Sequence, residues 1–192
     1  MSDIEPQDDG IRVLFVCTAN VCRSPMAAAL LRARLTGRGP TVAAASAGTD
    51  AFPMAGDKRA QRVMSELGVA MAHETARSIT PELLRHDGRD LVITMTHEHV
   101  RAVVLIDRSA WHRTFQFRDL VARAAIAGPR GRHEDGCDWV RRLAGERTAS
   151  ELFRESPAED VADPFGRSMA RYRETAAELD ELVSRLVELA RW

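Results

Sequence analysis

The segment from Cys17 to Ser24, in which five residues separate a cysteine from an Arg-Ser pair, constrains this chain more than any other. The apolar run from Ile11 to Val16 precedes it and predicts a buried strand. The segment from Pro25 to Leu35 follows it and predicts a helix with proline in its first turn. Where a strand, a tight loop and a helix follow one another in this way, the loop N–H groups point inward and the helix N-terminus adds its positive end. The segment therefore predicts a cradle for an oxyanion.

The residue types in this loop suit phosphate chemistry. Loop N–H groups and a helix dipole both favour a thiolate, which is the nucleophilic form of cysteine. The guanidinium of Arg23 can bind two oxygens of a phosphate at once. Cys17 and Arg23 together therefore predict attack of sulfur on a phosphate ester.

A proton donor for the leaving oxygen is predicted at Asp163, in the last third of the chain. A positioned acid contributes roughly 100- to 10,000-fold to such a step. Pro164 fixes the backbone beside the carboxyl group, and Phe165 offers an apolar surface next to it. The same group can then take a proton from the water that cleaves the phosphoenzyme.

Strand and helix patterns alternate along the chain. Strands are predicted over 13–17, 41–47, 90–95 and 112–117, and helices over 25–35, 58–67, 80–85, 97–105 and 172–190. Alternation of this kind predicts an α/β fold of three layers, α/β/α, with a central parallel sheet of about four strands. Ligands of such sheets bind at the carboxyl ends of the strands, where Cys17 falls. Residues 127–148 predict a loop followed by a helix from about Trp139.

Length, charge and cysteine content argue against a membrane-spanning, nucleic-acid-binding or secreted protein. The 192 residues fit a flexible tail over 1–10 and a single catalytic domain over 11–192. A net charge of −1 gives no support to nucleic acid or an anionic membrane as a partner, and no apolar run approaches the roughly 18–20 residues of a membrane span. The acidic N-terminus is unlike a signal peptide, and three cysteines are unlike a secreted disulfide framework. We therefore expect a cytoplasmic enzyme, as a monomer or a weak homodimer.

Together these motifs resemble the low-molecular-weight protein tyrosine phosphatases of bacterial type. The segment from Cys17 to Pro25 resembles the family's C-x5-R-S-P, and Asp163 to Gly166 resembles its later Asp-Pro pair. Shorter resemblances lie at Ser46 to Thr49, Asp57 to Ala60 and Asp90 to Met95, so the likeness covers about residues 11–190. It implies a cysteine-dependent phosphomonoesterase that acts on phosphotyrosine in phosphorylated proteins. It also implies that no metal or cofactor is needed, because Arg23 and loop N–H groups supply the electrostatic stabilisation.

The resemblance implies a catalytic role for four residues. Cys17 is the nucleophile and forms a phosphocysteine. Arg23 binds the phosphate and stabilises the transition state. Ser24 hydrogen-bonds the thiolate and helps it to leave. Asp163 is first the acid and then the base.

Other matching residues are implied to shape the loop and the slot above the phosphate. Asn20 holds the tight turn of the loop, which asparagine tolerates sterically. Its hydrogen bonds are implied to reach Ser24, Ser46 and His73. The rest of the phosphate-binding loop comprises Thr18, Ala19, Val21 and Cys22. The walls of a slot for an aromatic ring are Phe52 and Phe165.

The chain departs from the family pattern at several positions. Ala19 stands where glycine is usual, and alanine costs on the order of 1 kcal/mol there if the backbone has a positive φ. His73 lies one residue further from the following Ala-Arg than in the family. Gly166 stands where animal members have a tyrosine, which predicts a more open slot, and the loop over 128–148 is longer than in minimal members.

Three other functions compete with phosphotyrosine hydrolysis. Protein-arginine phosphatases of the same family typically carry, at the position of Val21, a threonine that can orient a guanidinium phosphate, and valine lacks that hydroxyl. Thioredoxin-coupled arsenate reductases share the loop but need two further cysteines, and none lies between Cys22 and Cys137. A non-catalytic anion-binding module would not need nucleophile, arginine, serine and acid together.

The roles of the other two cysteines and of four histidines are less specified by the sequence. Cys22 either packs under the loop or pairs with Cys17 under oxidation, which would protect the nucleophile. Cys137 is interpreted as having no part in catalysis. Four histidines lack metal-site spacing and are interpreted as surface or satisfied residues: His97, His99, His112 and His133.

Overall fold

The computed structural model describes residues 11–37, 42–71, 75–85, 90–153 and 157–192. One parallel sheet contains four strands in the order β2-β1-β3-β4. The strands are β1 (Arg12–Cys17), β2 (Ala43–Gly48), β3 (Asp90–Thr94) and β4 (Thr114–Gln116). The predicted α/β class and the four-stranded parallel sheet are confirmed. The predicted tail over 1–10 lies outside the described residues.

Seven α-helices lie within the described ranges. They are α1 (Arg23–Leu35), α2 (Lys58–Glu66), α3 (Pro81–Leu84), α4 (His97–Ile106), α5 (Phe117–Ala127), α6 (Gly136–Ala144) and α7 (Met169–Ala190). Short 3-10 turns cover Arg108–Arg113, Ala149–Phe153 and Pro157–Glu159. Among the described residues, no helix is both long enough and apolar enough to cross a bilayer.

Helices cover both faces of the sheet because side chains alternate along β1. Val13 and Phe15 pack in one core with α1, α5 and α7. Leu14 and Val16 pack in a second core with α3 and α4. This arrangement gives the three predicted layers, and it places Cys17 at the carboxyl end of a central strand.

The predicted elements begin and end within a few residues of the observed bounds, and helix α5 was not predicted. Two of the differences have a clear physical cause. The predicted strand over 112–117 is only Thr114–Gln116, because Phe117 already begins α5 and turns its side chain into the core. Helix α6 begins at Gly136 rather than Trp139, because Asp135 caps it by accepting a hydrogen bond from the backbone N–H of Cys137 at 2.8 Å.

Candidate active site

The loop between β1 and α1 turns at Asn20. Its φ of 55° lies in the left-handed region that asparagine tolerates. The Asn20 side chain donates to Ser24 Oγ at 3.0 Å and accepts from the backbone N–H of Arg77 at 3.1 Å. Of the described non-glycine residues, only Asn20 and Arg191 have a positive φ, so the alanine at position 19 carries no such strain.

Ser24 connects the cysteine to the rest of the loop. Its Oγ lies 3.0 Å from Cys17 Sγ and 3.2 Å from the carbonyl oxygen of Ala47. Because Asn20 donates to this oxygen, the single hydroxyl proton of Ser24 is free for the sulfur or for the carbonyl. Donation to the sulfur would stabilise a thiolate.

The Arg23 guanidinium is buried, with a side chain only 5% exposed. One terminal nitrogen donates to the carbonyl oxygen of Val161 at 3.2 Å. The other donates to Thr18 Oγ1 at 3.4 Å and pairs with Asp163 Oδ2 at 2.5 Å. The structure thus brings Asp163 to the loop as the ion-pair partner of Arg23.

The Asp163 carboxylate is also oriented by its own segment. Its other oxygen accepts from the backbone N–H of Phe165 at 3.0 Å. The side chain is 46% exposed, so solvent and a substrate can reach it. The carboxylate therefore lies at the open side of the loop.

The two aromatic residues predicted as slot walls are exposed, Phe52 by 70% and Phe165 by 56%. Phe52 follows Asp50, whose backbone N–H donates to the carbonyl oxygen of Thr18 at 3.0 Å. Phe165 follows Asp163 by two residues. Both rings therefore belong to segments that border the loop, and both are free to meet a ligand.

Ser46 and His73 were expected to support the loop through Asn20. Ser46 is buried, and its carbonyl oxygen accepts from Arg77 Nε at 2.9 Å. Arg77 in turn donates its backbone N–H to Asn20, so this arginine joins the two. His73 lies outside the described residues.

Cys22 lies under the loop. Burial, and secondarily the charge of Asp57, raises the pKa of its thiol to about 12. The group is therefore a neutral thiol near neutral pH and a poor nucleophile. Cys17 and Cys22 are not joined by a disulfide in this structure. A disulfide between Cys17 and Cys22 stays a prediction.

Two residues of this site were missed by the sequence analysis, Arg77 and His99. Of the two interpretations of His99, surface or satisfied residue, the second holds, since the ring is buried and both of its nitrogens are hydrogen-bonded. The sequence did not indicate that Nε2 lies 3.0 Å from Thr18 Oγ1. One signal could have indicated it: the Thr96-x-x-His99 spacing after β3 is that of a capping box, with histidine where glutamate or glutamine is usual. Among the described residues, no group of three or more His, Cys, Asp or Glu side chains could hold a metal ion.

Gly48 lies against the loop at the end of β2, where it is paired with Cys17. A Cβ added there would lie 2.4 Å from the carbonyl oxygen of Thr18, 3.0 Å from the backbone nitrogen of Asn20 and 2.9 Å from the Cβ of Ala51. A side chain at this position therefore requires the loop itself to move.

We expect Gly48→Ala to lower kcat/KM by about 100-fold, because displacement of catalytic groups by about 1 Å has that effect. The measurement is turnover of an aryl phosphate, with thermal unfolding followed in parallel. Gly56→Ala is the matched control, since a Cβ there meets nothing closer than Gln61 Nε2 at 3.4 Å. Full activity of Gly48→Ala would contradict the tight packing of the loop.

Proteins that resemble this chain in sequence are phosphatases of one family. The family model described as "Low molecular weight phosphotyrosine protein phosphatase" matches residues 12–152. A protein-arginine-phosphatase of Bacillus subtilis is 31% identical over 177 residues, which are 92% of this chain and 94% of the relative. The low molecular weight protein-tyrosine-phosphatase Etp of Escherichia coli is 32% identical over 67% of this chain and 83% of its own length.

The crystal structure of a low molecular weight protein tyrosine phosphatase from T. tengcongensis matches with a TM-score of 0.68. It is 29% identical to this chain, and the match covers 93% of this chain and 98% of that protein. The matching family model spans more than half of the sequence, from β1 to the turn that follows α6. The chain therefore belongs to the low molecular weight phosphotyrosine protein phosphatase family.

Proposed function

We propose that the protein hydrolyses phosphotyrosine in phosphorylated proteins through a phosphocysteine intermediate. The observation that carries this proposal is the convergence of four groups at one loop. Cys17 Sγ lies 3.0 Å from Ser24 Oγ, and the buried Arg23 is paired with Asp163 at 2.5 Å. These groups supply a nucleophile, a phosphate ligand and a proton donor in one place.

In the first step the Cys17 thiolate attacks phosphorus, and the bond between phosphorus and the phenolic oxygen breaks. The Asp163 carboxyl group gives its proton to that oxygen, so that tyrosine leaves as a neutral phenol. Arg23 and the loop N–H groups hold the three remaining phosphoryl oxygens. The product of this step is a phosphocysteine and an Asp163 carboxylate.

In the second step the Asp163 carboxylate takes a proton from water as the water oxygen attacks phosphorus. The bond between sulfur and phosphorus breaks, and inorganic phosphate is released. The Ser24 hydroxyl, 3.0 Å from the sulfur, donates to the departing thiolate and stabilises it. The enzyme returns to its starting state without a metal or a cofactor.

The ion pair between Arg23 and Asp163 must open during this cycle. A phosphoryl group competes with the carboxylate for the same Arg23 nitrogen, which lies 2.5 Å from Asp163 Oδ2. When phosphate oxygens take over the guanidinium, the carboxylate is released, takes a proton from solvent, and can then give it to the leaving oxygen. Substrate binding therefore places the acid as well as the phosphate.

Two observations bear on the choice of phosphorylated residue. The B. subtilis relative named a protein-arginine-phosphatase matches over nearly the whole chain, which supports phosphoarginine as a second candidate. Val21 supports phosphotyrosine, because it is a buried loop residue with no hydroxyl to orient a guanidinium phosphate. We place more weight on Val21, since it belongs to the phosphate-binding loop itself.

The test is phosphate release, without added metal, from matched phosphotyrosine and phosphoarginine peptides. We expect faster Cys17-dependent release from the phosphotyrosine peptide. We expect Val21→Thr, which adds a hydroxyl at nearly constant shape, to shift the ratio of the two kcat/KM values toward phosphoarginine. Preference of the unmodified enzyme for phosphoarginine would contradict the substrate assignment while leaving the phosphocysteine mechanism intact. A cytoplasmic location and a monomeric or weakly dimeric state stay predictions.

A further inference from the structure

His99 lies at the edge of the active site without touching the reacting groups. It is buried, 4% exposed, in the first turn of α4. Its Nε2 lies 3.0 Å from the hydroxyl oxygen of Thr18, and Thr18 is the residue that follows the nucleophile. That hydroxyl oxygen also accepts from Arg23 Nη2 at 3.4 Å. A single threonine oxygen thus joins the histidine to the phosphate-binding arginine.

The tautomer of His99 follows from its other ring nitrogen. Nδ1 accepts from the backbone N–H of Thr96 at 3.1 Å and from the Thr96 hydroxyl at 2.9 Å, so Nδ1 carries no proton. Burial, and secondarily the charge of Arg23, lowers the pKa of His99 to about 3, so the ring is neutral at neutral pH. The proton of a neutral ring must then be on Nε2. His99 therefore donates to Thr18 and does not accept from it.

The direction of this hydrogen bond matters for Arg23. Thr18 is exposed, and an exposed threonine side chain can occupy several rotamers. A donor fixed in the core at 3.0 Å holds the hydroxyl oxygen in one of them, with a lone pair left for Arg23. Of the three side chains joined by these hydrogen bonds, His99, Thr18 and Arg23, the histidine is the one that fixes the position of the threonine hydroxyl.

Arg23 needs this support most when the ion pair opens. After Asp163 has moved to the leaving group, two of the described contacts still hold the guanidinium within the protein. One is the carbonyl oxygen of Val161 at one terminal nitrogen, and the other is Thr18 Oγ1 at the second. Loss of the second contact would leave that nitrogen without a fixed acceptor beside the phosphate.

We propose that His99 is a positioning residue of the phosphate site, which acts by holding the Thr18 hydroxyl as an acceptor for Arg23. The expected change in kcat/KM rests on the proposed function. The expected change in phosphate binding does not. It assigns a role to the Thr18 side chain as well, and it joins the first turn of α4 to the loop after β1.

Two substitutions of His99 separate positioning from a role in capping α4. His99→Asn can retain an acceptor near the place of Nδ1 for the Thr96 N–H, but it cannot reach Thr18. His99→Gln can place an amide N–H near the place of Nε2, and glutamine at this position of a capping box can also accept from the Thr96 N–H. If His99 positions Thr18, His99→Asn weakens phosphate binding and His99→Gln restores most of it. If His99 only caps the helix, neither variant weakens phosphate binding, because both retain an acceptor for the Thr96 N–H.

The measurements are the Kd of inorganic phosphate, kcat/KM for an aryl phosphate, and the unfolding temperature. We expect His99→Asn and Thr18→Val each to weaken phosphate binding and to lower kcat/KM by about 3- to 10-fold, the usual effect of one lost hydrogen bond. We expect the double variant to lose no more than either single variant, because both changes break the same contact.

The outcomes distinguish this inference from the proposed function. Absence of Cys17-dependent turnover in the unmodified protein would overturn the proposed function, and the phosphate Kd would still test His99. Additive losses in the double variant, or unchanged phosphate binding in His99→Asn, would overturn the positioning role while the enzyme itself stays active.

Discussion

Replacement of Cys17 by serine is expected to lower kcat by at least about 10,000-fold, the scale on which loss of a nucleophile acts in other enzymes. A serine hydroxyl is a weak nucleophile unless an adjacent base activates it. Cys17 Sγ lies within hydrogen-bond distance of Ser24 Oγ, at 3.0 Å, and that hydroxyl already accepts a hydrogen bond from Asn20. It cannot act as such a base. The measurement is phosphate release from a phosphotyrosine peptide.

The same variant should still bind phosphate, because Arg23 and the loop N–H groups are unchanged. Cys137→Ser is the matched control, since it makes the same chemical change in α6, away from the loop. We expect the control to keep full activity and both variants to unfold at nearly the temperature of the unmodified protein. Turnover in Cys17→Ser above about 1% of the original rate would show that sulfur is not the nucleophile and would overturn the mechanism.

The elements around the loop could be predicted from sequence because local signals agree there. The apolar run before Cys17 has the length of a buried strand, and Pro25 fits the first turn of the helix that follows. Asn20 is one of the few residue types that accept the left-handed turn observed at that position. Each of these signals is contained within a few residues, so no knowledge of tertiary structure was needed.

The contact between His99 and Thr18 could not be predicted in this way. It joins residues 81 positions apart in the sequence, and it exists because β3 pairs directly with β1. Periodicity predicts strands but does not give the order of strands in a sheet. The Thr96-x-x-His99 cap was visible in the sequence, but the capping role alone does not indicate what Nε2 meets.

The start of α6 at Gly136 could not be predicted from the local sequence. The sequence predicts a helix only from about Trp139, after a loop in a region rich in Gly, Arg and Asp. A Cβ at Gly136 would lie 2.2 Å from the Cδ1 of Ile11, at the beginning of the first strand region. A side chain at position 136 would thus require Ile11, a residue 125 positions earlier, to shift, and no local pattern reveals this contact.

Asp163→Asn is expected to lower kcat/KM for a phosphotyrosine peptide by about 100- to 10,000-fold, because the phenolic oxygen then leaves without a proton. The loss should be much smaller for a nitrophenyl phosphate, whose leaving group needs little protonation, and kcat/KM isolates this first step. The variant also removes the carboxylate that competes for Arg23 at 2.5 Å, so inorganic phosphate should bind as tightly as before or more tightly.

Asp138→Asn makes the same chemical change on the exposed side of α6 and should leave kcat/KM for both substrates unchanged. An equal loss of Asp163→Asn on both substrates would show that this carboxyl group does not protonate the leaving oxygen. Weaker phosphate binding would instead contradict competition between the carboxylate and phosphate. Lower kcat/KM together with retained or tighter phosphate binding is the combination expected of a proton donor that is paired with Arg23, because loss of a purely structural residue would weaken both.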